Sequence, residues 1–427
     1  MKKIIFTFFI IGQILMAAKV DSIEIDGIKV PLIFEEDRRL PLVNTQIVFT
    51  NSGSITDTKI AGLAKFSAKI LNEGTKKLGS NSFATKLESR AIHISAHTGT
   101  ETFVIETGSL KDEFADSMKY LGALLKDPNY SDEALSKVKT MTLGALSKKE
   151  NDYDYVASNE LKKLLFPGTP LANPSAGTPK SVKSITLVNV ENFIKEHLVI
   201  SRAIVVVGGD VDLAEVKKRV KKILKLLPKG KSEPLAHYDA SSQAKTTILK
   251  RDTKQAYIYF GSPYNMAVND ENYYKARVAT FILGTGGFGS RLMEEIRVKR
   301  GLAYSAYARV HVSKSSSYLS GYLQTKLDSM DEAKETVQNV IAKFVKEGVS
   351  ADELEQTKKF LLGSEPLRVE TMSQRLNRTF MDYYKGFDLN HSEKELQKIK
   401  SLKLADLNKF IKAHTEILKQ SFAIVTE

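Results

Sequence analysis

The same succession of sequence patterns occurs twice in this chain, with the two copies about 220 residues apart. Each copy contains a run that alternates like a strand, then an amphipathic helix, then the start of a second helix. These patterns lie at residues 102–107, 114–125 and 131–135 in the first copy, and at 318–324, 337–344 and 350–354 in the second. Ser350 and Glu353 form a capping-box pattern, which fixes one helix start. The repetition indicates an internal duplication.

The order of these patterns also constrains the fold class. The helices come in pairs rather than singly between strands, and the strands alternate between apolar and polar residues. This favours an α+β fold of two homologous halves over a doubly wound parallel fold. We expect each half to be a mainly antiparallel sheet with helices packed on one face. With 42% apolar and 26% charged residues, the chain has the composition of a globular protein with a core in each half.

A segment rich in Pro, Gly and charge separates the two copies. Residues 227–234 contain two prolines, a glycine and several charged side chains, which is typical of a linker. We therefore predict an N-terminal domain at 19–227, a linker at 228–240 and a C-terminal domain at 241–427. The basic stretch at 216–231 carries apolar residues at helical spacing. It predicts a helix with a solvated basic face, so the net charge of +13 does not indicate a nucleic-acid partner.

Residues 1–18 have the features of a secretory signal peptide. Lys2 and Lys3 precede an apolar run at 4–16, and two alanines follow it. This order predicts an exported protein, periplasmic or secreted. The apolar run is shorter than a membrane-spanning helix, and no later stretch approaches that length. An uncleaved N-terminal anchor is the alternative, because a bulky residue occupies a position where the cleavage site prefers a small one.

One helix of the first half carries a recognisable motif. Residues 53–75 read GSITDTKIAGLAKFSAKILNEGT, with Leu63, Phe66 and Ile70 at helical spacing and Gly74 after them. This stretch resembles the pitrilysin/insulinase metallopeptidase family, whose first helix reads Gly-Leu-Ala-His-Phe-x-Glu-His and is followed by Gly-Thr. In that family the two histidines and a glutamate about 75 residues later bind zinc. The glutamate between the histidines activates the attacking water.

The resemblance implies that this chain has lost the zinc site. Its two histidine positions are Lys65 and Lys69, the general-base position is Ala68, and the best match to the later glutamate is Ala145. A protonated lysine has no lone pair to give to a cation, and an alanine has no ligand atom. We therefore expect no metal and no cofactor on this chain, and no peptidase activity from it alone. The apolar frame of the motif remains.

The resemblance extends over nearly the whole chain after the first 18 residues. Further matching blocks lie at residues 166–171, 177–178, 205–212, 283–292 and 295–305. The last block contains Arg297 and Tyr304. In active members of the family an Arg and a Tyr seven residues apart contact the substrate carbonyl and stabilise the oxyanion. Spacing alone is also compatible with a surface arginine and a sheet tyrosine, but the surrounding block favours the functional interpretation.

Two further segments are implied to contact substrate. Gly286 and Gly287 lie in a Gly-rich stretch that, in non-catalytic subunits of the resembling family, faces the substrate chamber. A dinucleotide fingerprint is not predicted there, because a helical run rather than a strand precedes the glycines. Residues 92–98 alternate like a strand that includes His93 and His97. By resemblance this strand is a sheet edge, and Ser95, Ala96, His97 and Thr98 would pair with an extended peptide.

The sequence therefore predicts a non-catalytic subunit that pairs with a homologous chain carrying an intact His-x-x-Glu-His motif and zinc. The pair would cleave peptides, with Arg297 and Tyr304 acting in trans. A catalytically dead interaction protein and a stand-alone peptide-binding protein of the same fold are the alternatives. The chain contains no cysteine and no Gly-x-Ser-x-Gly motif, so neither thiol catalysis nor a serine nucleophile elbow competes with this interpretation.

Overall fold

The computed structural model describes residues 18–427. The predicted signal peptide, apart from its last residue, lies outside the described residues. Within 18–427 no helix is long and apolar enough to cross a membrane.

Strands and helices are numbered along the chain. The strands are β1 (Lys19–Ile25), β2 (Ile28–Glu36), β3 (Leu42–Thr50), β4 (His93–Thr98), β5 (Thr102–Leu110), β6 (Ala203–Gly209), β7 (Thr246–Lys250), β8 (Gln255–Pro263), β9 (Ala303–Val312), β10 (Ser317–Lys326) and β11 (Ser421–Thr426). The helices are α1 (Leu63–Leu71), α2 (Gly79–Glu88), α3 (Phe114–Lys126), α4 (Asp132–Lys149), α5 (Tyr153–Leu165), α6 (Pro179–Ser184), α7 (Leu187–His197), α8 (Leu213–Leu224), α9 (Tyr273–Thr280), α10 (Arg291–Met293), α11 (Met330–Glu347), α12 (Ala351–Gly363), α13 (Met372–Lys385), α14 (His391–Ser401) and α15 (Leu404–Ala413).

The two sheets confirm the duplication. The first sheet has the strand order β1-β2-β6-β3-β5-β4, and the second has the order β7-β11-β8-β10-β9. The two orders become identical when β7, β11, β8, β10 and β9 are matched to β2, β6, β3, β5 and β4, with β1 as an additional strand. Both sheets are antiparallel except for the corresponding pairs β2–β6 and β7–β11. The α+β fold of two homologous halves is therefore confirmed, and the capping box of Ser350 and Glu353 starts α12 as predicted.

The basic helix lies directly before the predicted linker. It is α8, which begins before residue 216 and ends at Leu224, just ahead of the Pro- and Gly-containing segment at 227–234. Pro228 explains this end, because proline disfavours a helical conformation in the residues that precede it. Residues 228–245 contain neither helix nor strand.

Each sheet is covered on both faces, and the expectation of a single covered face is wrong. Strands β6 and β11 are buried over their whole length, so side chains on both faces need an apolar neighbour. Helices of the same half cover one face of the first sheet, and α13 of the second half covers the other. In return, α5 of the first half packs against the second sheet through Leu161 and Leu165. The alternation pattern missed this because β6 and β11 are continuous apolar runs.

Helices α13 and α5, which each pack on the sheet of the other half, both lie close to the backbone of a glycine. A Cβ on Gly208 of β6 would come within 2.5 Å of Leu376 of α13. A Cβ on Gly261 of β8 would come within 2.9 Å of Leu165 of α5. Each half therefore places a glycine of its sheet against the helix of the other half, although the two glycines lie on strands that do not correspond, β6 and β8.

A buried ion pair fixes α13 on the first sheet. The Arg375 Nε donates to Glu35 Oε1 over 2.8 Å, and Arg375 Nη2 reaches Asp37 over 3.3 Å. The side chains of Glu35 and Arg375 are 2% and 10% exposed. Burial raises the pKa of Glu35, and the Arg375 guanidinium opposes that rise. Removal of either side chain would therefore leave the other as an uncompensated buried charge.

Replacing Arg375 by Met should lower the free energy of unfolding by about 3–5 kcal/mol, because Glu35 would remain as an uncompensated buried charge. Urea unfolding measures the change. The control is Arg39→Met, which removes a salt bridge to Asp37 from a side chain that is 63% exposed. That substitution should cost less than about 1 kcal/mol. Equal effects of the two substitutions would contradict the role of the buried pair.

Candidate functional site

Helix α1 is positioned by the frame residues of the motif. Asp57 accepts the N–H groups of Gly62 and Ala64 at 3.0 and 2.9 Å, which satisfies the start of the helix. Burial raises the pKa of Asp57 to about 7, and these two donors act against the rise. Gly62 has a φ of +88°, and a Cβ there would lie 2.6 Å from the backbone of Gly177. The glycine is therefore needed for both its backbone conformation and its close contact.

The apolar residues of the frame fix α1 against its neighbours. Phe66 and Ile70 pack in one cluster with Val138 and Leu146 of α4. These residues hold the helix in place without any metal. The frame of the motif is therefore a packing requirement, which explains why it persists when the ligand positions differ.

The structure brings the predicted ligand positions to facing helices. Lys65 and Lys69 are half-buried on α1, and the Lys69 Nζ donates to Thr142 Oγ1 of α4 over 2.8 Å. Ala145 lies on α4 three residues later and is exposed, whereas Ala68 is buried. Burial lowers the pKa of Lys69, and the charges of Lys65 and Lys149 lower it further. Helices α1 and α4 therefore face each other across a cationic pair.

These residues do not fit a zinc ion. Three lysine ammonium groups approach the position, and like charge repels a divalent cation. Within residues 18–427 there is no group of three or more His, Cys, Asp or Glu side chains that could hold a metal. His93 and His97 lie on β4, where positions four apart are separated by about 13 Å, so the two rings cannot share one ion.

Strand β4 forms the edge of the first sheet, as the sequence predicted. One part of that edge is already paired within the chain. The Ala96 N–H donates to Asn72 Oδ1 over 2.7 Å, and Asn72 Nδ2 donates to the Ala96 carbonyl over 2.9 Å. The Asn72 side chain therefore forms hydrogen bonds with the Ala96 N–H and carbonyl, the two backbone groups that a neighbouring strand would pair with at this position. Sequence analysis missed this contact, because Asn72 follows α1 and appears to be an ordinary end of a helix.

Arg297 and Tyr304 lie together in the second half. Arg297 is in a π-helical segment, Glu294–Val298, and Tyr304 is near the start of edge strand β9. The guanidinium carbon of Arg297 is 4.2 Å from the ring centre of Tyr304 and 4.6 Å from that of Phe288. Two cation–π contacts thus hold the arginine between two aromatic rings. Phe288 was not predicted, although it immediately follows Gly287.

This stack faces solvent. Tyr304 is 82% exposed and Phe288 is 64% exposed, which is unusual for large aromatic side chains without a partner. Among residues 18–427, the Arg297 side chain has no hydrogen-bond or ion-pair partner. Its neighbours Lys299 and Arg300 both pair with Glu295 instead. Arg297 therefore presents its N–H donors on a rigid platform.

The two predicted glycines have different local roles. A Cβ on Gly286 would lie 2.8 Å from the Phe281 carbonyl oxygen, so this position requires glycine for packing. Gly287 has a φ of +61° with open space beside it, so only its backbone conformation is restrictive. A helix and a π-helical segment, Phe281–Thr285, precede these glycines rather than a strand. The helical run predicted before the glycines is therefore confirmed.

Comparisons with known proteins agree with this geometry. The family model for insulinase, peptidase family M16, matches residues 43–179. The model for the peptidase M16 inactive domain matches residues 184–361. Together the two matches cover most of the chain. The protein belongs to peptidase family M16, and it is a member whose motif lacks the zinc ligands.

Individual relatives are consistent with that class. The chain is 42% identical to the non-peptidase homolog YmxG of Helicobacter pylori, over 100% of this chain and 99% of the relative. It is 24% identical to an uncharacterized zinc protease YmxG of Bacillus subtilis, over 78% of this chain and 80% of the relative. Among solved structures, a peptidase M16 inactive domain from Pseudomonas fluorescens has a TM-score of 0.87 at 22% identity, covering 96% of this chain and 97% of the other.

Purified protein should contain no stoichiometric zinc and hydrolyse no peptide. The triple variant Lys65→His, Lys69→His and Ala145→Glu should gain zinc binding, because it restores three ligands on facing helices. Ala68 is left unchanged, since the residue at that position does not ligate the metal and is buried here. Calorimetry measures the binding. The double variant without Ala145→Glu should bind zinc at least about tenfold more weakly.

A triple variant that folds but shows no gain in zinc affinity would mean that α1 and α4 are not the remains of a metal site. One tightly held zinc per wild-type chain would overturn the same assignment.

Replacing Asn72 by Ala should open the paired section of β4. Each of the two hydrogen bonds contributes about 0.5–1.5 kcal/mol, so affinity for an extended peptide should rise roughly tenfold. Fluorescence anisotropy with a labelled peptide tests this. Gln46→Ala is the control, because Gln46 lies on the interior strand β3, where its side chain donates to Glu106. Equal affinity of Asn72→Ala and wild type would show that peptides do not bind along this edge.

Proposed function

We propose that this protein is the non-catalytic subunit of an exported, heteromeric zinc peptidase. The partner would be a homologous chain with an intact His-x-x-Glu-His motif, which supplies the zinc and the attacking water. The observation that carries the proposal is the exposed stack of Arg297 with Phe288 and Tyr304. The N–H donors of Arg297 have no partner within residues 18–427, so they are available to a group outside this chain.

In this role Arg297 and Tyr304 would act on the peptide carbonyl. When water attacks the scissile carbonyl, its oxygen acquires negative charge, and nearby N–H and O–H donors stabilise that charge. The two cation–π contacts restrict the guanidinium before substrate arrives, so little ordering is needed during the reaction. The Tyr304 ring, whose centre is 4.2 Å from the guanidinium carbon, carries a hydroxyl that would be an additional donor.

The remaining predicted residues would form part of the substrate wall. Strand β4 is a sheet edge, which supports pairing of an extended peptide with Ser95, Ala96, His97 and Thr98. The Asn72 contact limits that pairing to the groups on either side of Ala96 unless Asn72 moves away. Gly287 and Phe288 connect the Gly-rich segment to the Arg297 stack, which supports a role of this segment in substrate access.

Export is the second part of the proposal. Strand β1 begins at Lys19, directly after the two alanines at the predicted cleavage point, and Lys19 pairs with Phe34. Cleavage after Ala18 would therefore leave the first sheet complete.

A catalytically dead interaction protein of the same fold is the alternative. A chain of complex III from Candida albicans has the same fold, with a TM-score of 0.75 at 16% identity, covering 95% of each chain. The self-paired edge at Asn72 also favours this alternative, because it removes backbone groups that substrate would need.

The two functions are distinguished by variants in the reconstituted pair. With the zinc-bearing homologue from the same genome, Tyr304→Phe or Arg297→Ala should lower kcat on a fluorogenic peptide at least about tenfold. Arg300→Ala is the matched control, since Arg300 lies three residues further along the chain and is paired with Glu295. Size-exclusion chromatography checks that every variant still assembles. Assembled complexes that cleave at the wild-type rate with both variants would leave this chain a scaffold.

A further inference from the structure

A cavity of about 480 Å³ lies at the junction of the two halves, away from the Arg297 stack and from the lysines of α1. It is bounded by the turn between β4 and β5, the end of α5, the turn between β9 and β10, and α13. Its size is in the range of small-molecule sites in proteins. Because both halves contribute walls, the cavity exists only in the assembled fold.

One cation in this cavity has no counterion. Lys162, near the end of α5, has no hydrogen-bond or ion-pair partner within residues 18–427, and its Nζ remains accessible from the cavity. Burial alone lowers the pKa of Lys162, and no carboxylate acts against that shift. The adjacent Lys163 is exposed and pairs with Glu160 over 2.9 Å. An unpaired ammonium at a desolvated position is costly, so it is a candidate to bind an anion.

The other titratable groups of the cavity leave this charge uncompensated. Glu101 accepts the Ser315 N–H and the Tyr384 hydroxyl, each over 2.7 Å, and forms no ion pair with Lys162. His311 shares its Nε2 with Ser320 Oγ over 2.8 Å. Burial, then the charges of Arg309 and Lys162, lower the pKa of His311 to about 4, so its ring is neutral near pH 7.

Aromatic rings form part of the remaining wall, beside several serine and threonine side chains. Phe166 and Tyr318 meet edge to face with ring centres 5.2 Å apart, and His311 stacks on Tyr318 at 4.5 Å. Phe380 and Tyr384 stack at 5.7 Å on the α13 side. The cavity therefore places the Lys162 ammonium, which has no ion-pair partner among residues 18–427, near aromatic rings, which suits a ligand with an anionic end and an apolar body.

We propose that this cavity binds a monocarboxylate with an aromatic or branched apolar body, with its carboxylate on Lys162 and its body between the aromatic rings. The carboxylate belongs either to the C-terminal end of a peptide or amino acid, or to a small organic acid. Inorganic phosphate has no body for the aromatic walls and fits less well. The site is separate from the Arg297 stack, and of the residues in the proposed function it shares Thr98, at the end of β4. Its test uses this chain alone, so it does not depend on the proposed peptidase partnership.

Three probes test the chemistry on the full chain by calorimetry. N-acetylphenylalanine should bind at least about tenfold more tightly than N-acetylphenylalaninamide, which differs only in lacking the charge. Tighter binding of N-acetylphenylalanine than of 3-phenylpropionate assigns the site to peptide or amino-acid ends, and the reverse order assigns it to organic acids. Equal binding of acid and amide overturns the proposal without any variant being needed. Displacement of the acid by an equal concentration of phosphate also overturns it.

Variants then assign the binding to Lys162. Lys162→Met should abolish the preference for the acid over the amide, while Lys163→Met should retain it. Lys162→Met should unfold at the same or a higher urea concentration than wild type, because it removes an unpaired charge from a desolvated position. Retention of wild-type acid affinity in Lys162→Met sinks the proposal. Lys162→Gln, which keeps a polar end group without the charge, gives the same test if the Met variant does not fold.

Discussion

The architecture depends on two central strands that are apolar on both faces. Strands β6 and β11 are buried throughout, so a sheet with helices on one face only would leave half of their side chains in water. Each half solves the problem with a helix of the other half, α13 over the first sheet and α5 over the second. The glycines beneath both helices and the Arg375–Glu35 pair secure this arrangement. The two halves consequently share their cores rather than touching at a surface.

On α1, the residues that pack against neighbouring helices are not the residues at the zinc-ligand positions. This explains how the frame of a metallopeptidase motif can exist without zinc chemistry. Phe66 and Ile70 pack against α4, and Gly62 and Asp57 shape the start of α1, so the fold constrains these positions. Lys65 and Lys69 lie on the half-buried side, where the fold requires only that a side chain reach solvent or a polar neighbour. Thr142 provides that neighbour for Lys69. Packing residues and ligand positions are thus free to change independently.

Local sequence patterns predicted what depends on local structure. The α12 capping box, the strand character of β4 and the helix with replaced ligand positions follow from spacing within about 25 residues, and the duplication follows from the recurrence of such local patterns later in the chain. The two-sided cover of the sheets, the Asn72–Ala96 pairing and the isolation of Lys162 do not. They depend on contacts between segments far apart in the chain, such as Arg375 with Glu35, for which a single sequence contains no pairing information. Lys162 in particular has a neighbour of the same type, Lys163, and only burial distinguishes the two.

The exchange of α5 and α13 has a consequence for the order in which the chain can fold. Strand β6 completes the first sheet in the sequence well before α13 begins, so the outer face of β6 stays uncovered until the second half supplies that helix. Contacts of such long range close late, and until then the N-terminal half exposes Ile204 and Val206. The N-terminal half is therefore not an independent folding unit. Completion of the native state has to wait for the last third of the sequence.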